Sequence, residues 1–390
     1  MKIIYYEMRK SWLKATMFIA LIVFIALIVF IALNFVRMND MCRIKYSMTY
    51  GSAGKAYHKV FDSLCGELTE EKIEPFRKRA KELEDDVMDM VYSYEYQPDK
   101  YYTGYVWGDF MLYNVEIAPE ITYCVTYPNT SNKIAQNAAE GYRFYSCVGN
   151  DFEAEKNAII YEIYRNRSIP EYRATYWTSV FWRHDFSSLL CIILLILGLS
   201  ASFSAEKSSG MHQLITSYGR TNKTIISKII SSAIYCALLS VLFTAVDLVS
   251  VDFLLGVDGL NMPIYSARIF ENTPFNFSFL RAIFLWTALR FLALFCISLI
   301  IMLFSEIMPN TIAAMCGSFV VSLILMLLTA FSKNIFNPIS ALTPKTYFEY
   351  FSVVNVFGKP VLTLTAALIA LALECLLFSG VIFACKRFLR

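Results

Sequence analysis

One apolar stretch, Phe279-LRAIFLWTALRFLALFCISLIIML-Phe304, decides the kind of fold to expect. It carries two charged residues, Arg281 near its start and Arg290 near its middle, and is otherwise mostly hydrophobic. The hydrocarbon core of a bilayer is about 30 Å thick, and a helix of about 20 apolar residues crosses it. The stretch is therefore long enough to span a membrane as one helix.

Five further stretches of the chain resemble this one in length and composition. Hydrophobic residues make up 57% of the 390 residues, charged residues make up 17%, and the mean hydropathy is +0.48, as in membrane proteins. No strand-sized alternation occurs in these stretches, so helices are the way to satisfy the backbone in lipid. We expect an α-helical integral membrane protein with six transmembrane helices, at 17–36, 186–203, 229–255, 279–304, 311–331 and 361–385.

The first predicted span repeats the letters FIALIV between Phe18 and Leu33. This six-residue period matches neither helix packing nor a heptad, and indicates apolar filler. A secretory signal peptide is the alternative interpretation, but its apolar core would be shorter, and no small-x-small cleavage site precedes Arg37. We expect a retained signal anchor.

The distribution of basic residues predicts the orientation, because cytoplasmic loops are enriched in Lys and Arg. With a cytoplasmic N-terminus, the inner segments 1–16, 204–228, 305–310 and 386–390 hold Lys2, Arg9, Lys10, Lys14, Lys207, Arg220, Lys223, Lys228, Lys386, Arg387 and Arg390. The short outer loops 256–278 and 332–360, with the adjoining span ends, hold only Arg268, Arg281, Lys333, Lys345 and Lys359. Both termini are therefore expected in the cytoplasm and residues 37–185 outside it.

The outer segment 37–185 has the length of one ordinary domain. Phe76, Ala80, Leu83 and Val87 recur at helical spacing after Pro75, which predicts a helix from Pro75 to Tyr92. Aromatic and β-branched residues separated by Gly, Asn and Pro then predict strands, and a second helix follows at 151–166. We expect an extracytoplasmic α+β domain with strands at 101–106, 110–117, 121–127 and 142–148.

Four cysteines fall in this outer domain, and six fall in the spans. An even number of cysteines outside the cytoplasm allows two disulfides in any of three connectivities, and four buried free thiols are the alternative. No CxxC spacing occurs and no histidine is placed to complete a zinc site, so we expect no metal. The four outer cysteines are Cys42, Cys65, Cys124 and Cys147.

The sequence contains no sign of catalytic machinery. Its histidines are His58, His184 and His212, which we interpret as surface residues, and neither HExxH nor GxSxG is present. No GxxxxGK[ST] motif occurs, so we expect no nucleotide hydrolysis by this chain. No soluble part carries a concentrated basic face, which argues against nucleic acid as a partner.

Four charged residues inside the spans need an explanation, because a charge at mid-bilayer costs at least about 2.5–3.5 kcal/mol unless it is paired or wetted. Arg290 and Glu374 are predicted at similar depth, which allows an ion pair between them. Asp247 and Asp252 lie nearer the outer end of the third span. A structural ion pair is the favoured interpretation, and a polar lining of a translocation path is the alternative.

The charged connection after the second span, Phe203-SAEKSSGMHQLITSYGRTNKTIIS-Lys228, is the most informative for function. Residues 206–218 predict a short helix on the membrane surface with Met211, Leu214 and Ile215 on one side. Gly219 would end that helix, leaving Arg220, Lys223 and Lys228 to face phosphates or acidic protein. A plain membrane anchor is the alternative.

The spacing of residues in this connection resembles the signature between the second and third spans of the permease family of ABC type 2 exporters. The residues that carry the resemblance are Phe203, Glu206, Gly210, Leu214, Ser217, Arg220, Ile225 and Lys228. The basic amphipathic start, with Lys2, Arg9, Lys10 and Trp12, is similar to that family's elbow helix, and the plan of six spans with both ends inside also matches. Tyr218-Gly219 stands where a proline often precedes the arginine.

The resemblance implies a permease subunit in a bacterial cell membrane that exports cargo outward. Two permease chains, identical or related, would form the pathway within membrane lipid, and separate ABC ATPase subunits would bind ATP and magnesium and push the 206–218 helix. It also implies that the 332–360 connection folds back into the membrane as a re-entrant gate. This chain would hold no cofactor of its own.

The nature of the cargo and two other function classes stay open. Lipid, amphipathic peptide and hydrophobic drug all fit, and the tyrosine-rich outer domain favours an amphipathic peptide or lipid. In one alternative, an ATPase drives the outer domain as a sensor of antimicrobial peptides or as a mechanical arm, without transport. In the other, a surface protein with one plus five spans works without an ATPase.

Overall fold

The computed structural model describes residues 17–46, 52–89, 95–173, 176–211, 217, 221–331, 334–343 and 345–388. The chain is mostly helical, and its long apolar helices form one bundle. These are α1 (Met17–Tyr46), α8 (Phe186–Leu199), α10 (Thr221–Leu255), α11 (Phe279–Ile307), α12 (Thr311–Phe331) and α14 (Thr363–Phe388).

Five helical segments within the described ranges are long and apolar enough to cross a membrane, which identifies a helical membrane protein. Their bounds are Trp177–Ser208, Asn222–Leu255, Phe279–Ile307, Thr311–Thr329 and Thr363–Cys385, close to the predicted second to sixth spans. The predicted first span lies within α1, and a membrane crossing by α1 stays a prediction.

Helix α11 is at the centre of the bundle and contacts α8, α10, α12 and α14. The most apolar part of α11 is 56% buried, that of the segment Trp177–Ser208, which contains α8, is 61% buried, and that of α12 is 17% buried. Small side chains at Ala282 and Ala293, both fully buried, let neighbouring helices approach closely. Helices α8 and α11 are therefore the most buried of these five apolar segments, and α11 contacts the other four helices.

The segment between α1 and α8 is a helical domain, so the predicted α+β domain is wrong. It contains α2 (Ser52–Leu64), α3 (Glu70–Asp89), α4 (Val106–Phe110), a π-helical turn (Met111–Ile117), α5 (Ala118–Val148), α6 (Asp151–Tyr164) and α7 (Tyr176–Phe181). The helices predicted at 75–92 and 151–166 are present as α3 and α6. All four predicted strands fall in the region of α4, the π-helical turn and α5, or just before it.

A helical stripe within α5 explains why the strand prediction failed. Ile121, Cys124, Ser131, Ala135 and Ala138 are buried at intervals of three, four or seven residues, which is the period of a helix face. The aromatic and β-branched residues around them favoured strands. Proline was expected to separate the strands, but Pro128 lies inside α5. The helix ends at Gly149, whose φ of 75° suits a left-handed C-cap.

The strands in the described ranges form one small hairpin, β1 (Val353–Val356) with β2 (Lys359–Leu362). It belongs to the connection before α14, which also contains α13 (Lys345–Phe348) and a 3₁₀ turn at Ser340–Leu342. The hydroxyl of Ser188, near the start of α8, donates to the carbonyl of Leu342 at 3.2 Å. This connection packs against the bundle end that carries the helical domain, which we call the domain end, and membrane re-entry stays a prediction.

Arg167 joins the helical domain to the connection between α10 and α11. Its guanidinium donates to the Tyr127 hydroxyl at 2.8 Å, to the Thr273 carbonyl at 2.7 Å and to the Asn276 side chain at 2.8 Å. The side chain is buried, and its guanidinium lies over the ring of Tyr164 at 4.1 Å. Satisfied hydrogen bonds on several sides allow this charge to be buried.

Of the two alternatives for the outer cysteines, the structure does not show the pair of disulfides. Cys65, Cys124 and Cys147 are free thiols, and Cys42 is buried in α1. Burial, and then the neighbouring Glu120 carboxylate, raise the pKa of the Cys124 thiol to about 12. Cys147 is exposed near the end of α5. The two cysteines of α5 therefore differ strongly in reactivity.

We expect Arg167→Ala to destabilise the protein by about 2–4 kcal/mol, because it leaves the Tyr127 hydroxyl and backbone carbonyls buried without their donor. Thermal unfolding of the purified full chain in detergent measures this. The matched control is Arg165→Ala, two residues before Arg167. It removes an exposed ion pair with Glu162 and should change stability by less than about 0.5 kcal/mol. Equal effects of the two substitutions would contradict the role given to Arg167.

We expect a charged, membrane-impermeant maleimide to label Cys147 rapidly at pH 8 and to leave Cys124 unlabelled until the protein unfolds. The raised pKa keeps the Cys124 thiol protonated at that pH, and burial blocks access to it. Peptide mass spectrometry with and without denaturant measures the labelling, with Cys147→Ser as the control. A disulfide between the two cysteines in the unreduced protein would contradict the structure.

Candidate functional site

Two polar clusters in the bundle contain four of the residues singled out from the sequence, Asp247 and Arg290 in one and Glu206 and Lys228 in the other. The first, which we call the polar layer, consists of Asn34, His184, Ser187, Asp247 and Arg290, all of them buried. At 1.5 Å per residue, Asp247 lies about 12 Å and Arg290 about 16 Å from the domain ends of their helices. The second cluster lies at the opposite end, at the base of the connection between α8 and α10.

Arg290 pairs with Asp247, so the predicted ion pair with Glu374 is wrong. The Nη1 atom of Arg290 lies 3.4 Å from Oδ2 of Asp247. Its Nη2 donates to the Ser187 hydroxyl at 3.0 Å, and its guanidinium lies 5.2 Å from the ring centroid of Trp286. Similar depth in two helices allowed the pairing with Glu374, but the azimuth of α11 turns Arg290 towards α8 and α10 instead.

Glu374 and Asp252, the other two predicted charges, lie outside the polar layer. Glu374 on α14 accepts a weak hydrogen bond from the Cys296 thiol on α11 at 3.4 Å. Asp252 accepts from the backbone N–H of Val257 at 2.9 Å, just beyond the end of α10. The four charges therefore take part in three separate interactions and do not line one path.

The carboxylate of Asp247 fixes the orientation of its neighbours. It accepts from the Asn34 amide at 2.7 Å and from the Ser187 hydroxyl at 2.7 Å. Since the amide nitrogen of Asn34 faces the carboxylate, its oxygen faces Nε2 of His184 at 2.7 Å and can only accept. His184 therefore carries its proton on Nε2, and its Nδ1 has no hydrogen-bond partner among the described residues.

Sequence reasoning missed Asn34 and misplaced His184, which was interpreted as a surface residue and is buried. Asn34 could have been found, because it is a polar residue at the end of an apolar repeat and such residues are costly in lipid. The polar layer ties together α1, α8, α10 and α11 through charge and hydrogen bonds. It is suited to fixing the register of four helices.

The second cluster, which we call the loop base, consists of Phe203, Glu206, Lys207, Lys228 and Glu306. Glu206 and Lys228 form a buried ion pair at 2.8 Å, and the Lys228 ammonium lies 4.1 Å from the ring centroid of Phe203. Lys207 forms a second ion pair with Glu306 at 3.4 Å. The loop base thus joins the connection to α10 and to the end of α11.

Hydroxyl groups add to the same junction. The Ser305 hydroxyl on α11 accepts from the backbone N–H groups of Phe203 at 2.9 Å and Ser204 at 3.1 Å. Lys228 also donates to the carbonyl of Ser202, and Lys207 to that of Glu306. These bonds satisfy backbone groups at both helix ends, so the junction is well ordered locally.

The predicted 206–218 helix is corrected in part by the structure. Helix α9 covers Ser204–Ser208, and Gly210 interrupts the predicted helix with a φ of 71°. Met211 and Ser217, which are the described residues after this break, are helical. Glu206 and Lys228 were expected to face a partner but face each other. Leu214 and Arg220 lie outside the described residues, as does the predicted elbow helix with Lys2, Arg9, Lys10 and Trp12; Ser217 is described and exposed.

Comparisons with family models, with curated proteins and with solved structures find no match for this chain. The similarity of its loop spacing to the ABC type 2 permeases therefore stays a prediction from the sequence. Function has to be argued from the polar layer, the loop base and the helical domain.

We expect Asp247→Asn to destabilise the protein by about 3–5 kcal/mol, because it leaves the Arg290 guanidinium buried without its counter-ion. A double-mutant cycle in the full chain measures the pairing directly. The Arg290→Gln and Asp247→Asn pair should show a coupling energy of at least about 1 kcal/mol, and Arg290→Gln with Glu374→Gln should show about zero. A larger coupling with Glu374 would contradict the observed pairing.

Proposed function

We propose that this chain is the membrane-spanning permease subunit of an ATP-binding-cassette exporter, coupled to a separate ATPase through the connection between α8 and α10. The observation that supports this most directly is the loop base. Two ion pairs, one of them buried, join the root of this connection to α10 and to the end of α11, so a force on the connection would be passed to these helices.

The connection divides into a buried root and an exposed tip. Glu206 and Lys228 are buried at the root, whereas Ser209, Gly210 and Met211 are exposed beyond α9. An exposed methionine suits an adaptable protein contact. We propose that the tip contacts the ATPase and that the root transmits its displacement to α10 and α11.

The partners follow from this assignment. ATP and magnesium would bind to the ATPase subunits in the cytoplasm, and a second permease chain, identical or related, would complete the pathway in the lipid bilayer. The connection would then lie on the cytoplasmic side and the helical domain outside. The cargo would be an amphipathic peptide, a lipid or a hydrophobic small molecule.

A second function, sensing or mechanical transmission without transport, is favoured by the junction at Arg167. One continuous set of buried apolar residues runs from the helical domain into the bundle. The Tyr123 hydroxyl also donates to the Tyr265 carbonyl at 2.6 Å across this junction. A firmly attached domain can transmit force to or from the bundle, so ligand binding by the domain would alter ATP hydrolysis in this case.

We expect Met211→Glu, which places a charge on the exposed tip, to reduce recovery of the ATPase with the tagged full chain at least about ten-fold. Glu206→Gln should keep the ATPase bound but uncouple cargo-stimulated hydrolysis, because it breaks the buried ion pair at the root. Recovery is scored only for a protein that photo-crosslinks an ATP analogue and hydrolyses ATP with magnesium. Exchange of both charges, Glu206→Lys with Lys228→Glu, should restore part of the coupling.

The matched control is Tyr350→Glu, which adds a charge at an exposed site at the other end of the bundle, the domain end, and should leave recovery unchanged. Thermal unfolding of each variant separates loss of coupling from loss of fold. Stimulated hydrolysis without cargo efflux would favour the sensing function. A complex without any ATP-binding protein would overturn the proposal in favour of an ATPase-independent surface protein.

A further inference from the structure

Glu374 is the middle residue of the apolar segment Thr363–Cys385, eleven residues from either end. At 1.5 Å per residue this distance is about 16 Å, which is half the thickness of the hydrocarbon core of a bilayer. A carboxylate at this depth is costly unless a partner or water stabilises it. The position of Glu374 therefore needs an explanation of its own.

The described residues offer this carboxylate one weak hydrogen bond and no counter-ion. The Cys296 thiol donates to Oε2 of Glu374 at 3.4 Å, and Glu374 forms no ion pair with a described Lys or Arg. A thiol is a weak donor, and it does not neutralise a charge. The negative charge of Glu374 is thus not balanced within the part of the chain that the structure describes.

The carboxylate can be reached from outside the bundle. Glu374 is partly exposed and lies at the border between two sides of α14. On one side, Cys375 is buried and its sulfur lies 3.9 Å from the Leu292 carbonyl of α11. On the other side, Leu373 is 61% and Leu377 is 60% exposed. A molecule that approaches from the membrane would meet the carboxylate at the edge of an apolar surface.

A metal ion does not fit this position. Among the described residues, no three His, Cys, Asp or Glu side chains are grouped closely enough to hold a metal. Calcium and magnesium need several more oxygen ligands than one carboxylate supplies. The missing counter-ion is therefore expected to be organic.

A second copy of this chain does not supply the missing charge either. The cation nearest to Cys296 along α11 is Arg290, six residues earlier, and it is buried and paired with Asp247. Two α14 helices that faced each other would bring two Glu374 carboxylates together, and like charges repel. A cation dissolved in the membrane is the occupant that complements this site.

We propose that Glu374 binds a small hydrophobic organic cation that approaches the exposed side of α14 from the membrane. The carboxylate pairs with the cationic group, and Leu373 and Leu377 contact the apolar body. The pairing is strong because the surroundings have a low dielectric constant. As a statement about cargo, this inference rests on the proposed exporter function and narrows its cargo to hydrophobic cations. As a statement about binding, it requires only that the bundle lie in a membrane.

Equilibrium dialysis of the full chain in lipid nanodiscs tests the binding, with tetraphenylphosphonium as the probe and empty nanodiscs subtracted. We expect saturable binding that Glu374→Gln weakens at least about ten-fold, because this nearly isosteric change removes the charge. Glu374→Asp, which keeps the charge, should retain more of the affinity than Glu374→Gln. Tetraphenylborate, an anion of nearly the same shape, should not lose affinity in Glu374→Gln.

The matched control is Asp252→Asn, which removes a carboxylate near the end of α10 and should leave phosphonium binding unchanged. Thermal unfolding of each variant checks that the fold is retained. Equal phosphonium affinity of the wild type and Glu374→Gln, or an equal loss of affinity for both ions, would overturn the proposal.

Chemical modification locates the site in the unaltered chain. A lipid-soluble carbodiimide should modify Glu374 in nanodiscs, and phosphonium should slow this reaction at least about ten-fold whereas borate should not. Peptide mass spectrometry measures the rate, and an equal rate with and without phosphonium would overturn the site. In the complex with the ATPase, phosphonium should also stimulate ATP hydrolysis. Binding without stimulation would contradict the assignment as cargo and would leave the binding site supported.

Discussion

A guanidinium buried in an apolar bundle is tolerated only where an opposite charge and further acceptors surround it, and Arg290 satisfies this requirement through Asp247 and Ser187. This requirement determines the orientation of further side chains besides Arg290 and Asp247. Asp247 must be oriented to meet Arg290, and Asn34 and His184 are then oriented by Asp247. Because these residues come from different helices, rotation of any one helix would leave a polar group unsatisfied. The relative azimuths of α1, α8, α10 and α11 are therefore linked.

The helices of the bundle could be predicted from the sequence because length and hydropathy act locally. The predicted bounds of the span at 311–331 agree with α12, and the others differ mainly by one or a few turns at their ends. The helical domain could not be predicted in the same way. In the region of α5, aromatic and β-branched residues favoured strands, while the 3.6-residue period at Ile121, Cys124 and Ser131 carried the correct signal. Tertiary burial of that stripe decided the outcome.

For the site residues too, the sequence predicted some features and not others. The sequence identified Asp247 and Arg290 because charges within apolar spans are costly, and Glu206 and Lys228 because of the spacing of the connection after the second span. It did not identify their partners, since pairing across helices depends on azimuth, which spacing along one helix does not determine. Glu206 and Lys228 illustrate this, because both were expected to face another protein and instead form a buried pair. Only contacts between α9 and α10 reveal that arrangement.

One helix, α11, connects the three polar junctions of the molecule. Its start adjoins Asn276, which accepts from Arg167 of the helical domain, its middle holds Arg290, and its end holds Ser305 and Glu306. A helix of 29 residues spans about 43 Å and is much stiffer along its axis than a loop. A displacement at the loop base would therefore be carried towards the domain end by α11, as by α8 and α10, which also run between the two ends, with the polar layer resisting rotation. In the proposed exporter or sensor, α11 would connect the loop base with the helical domain.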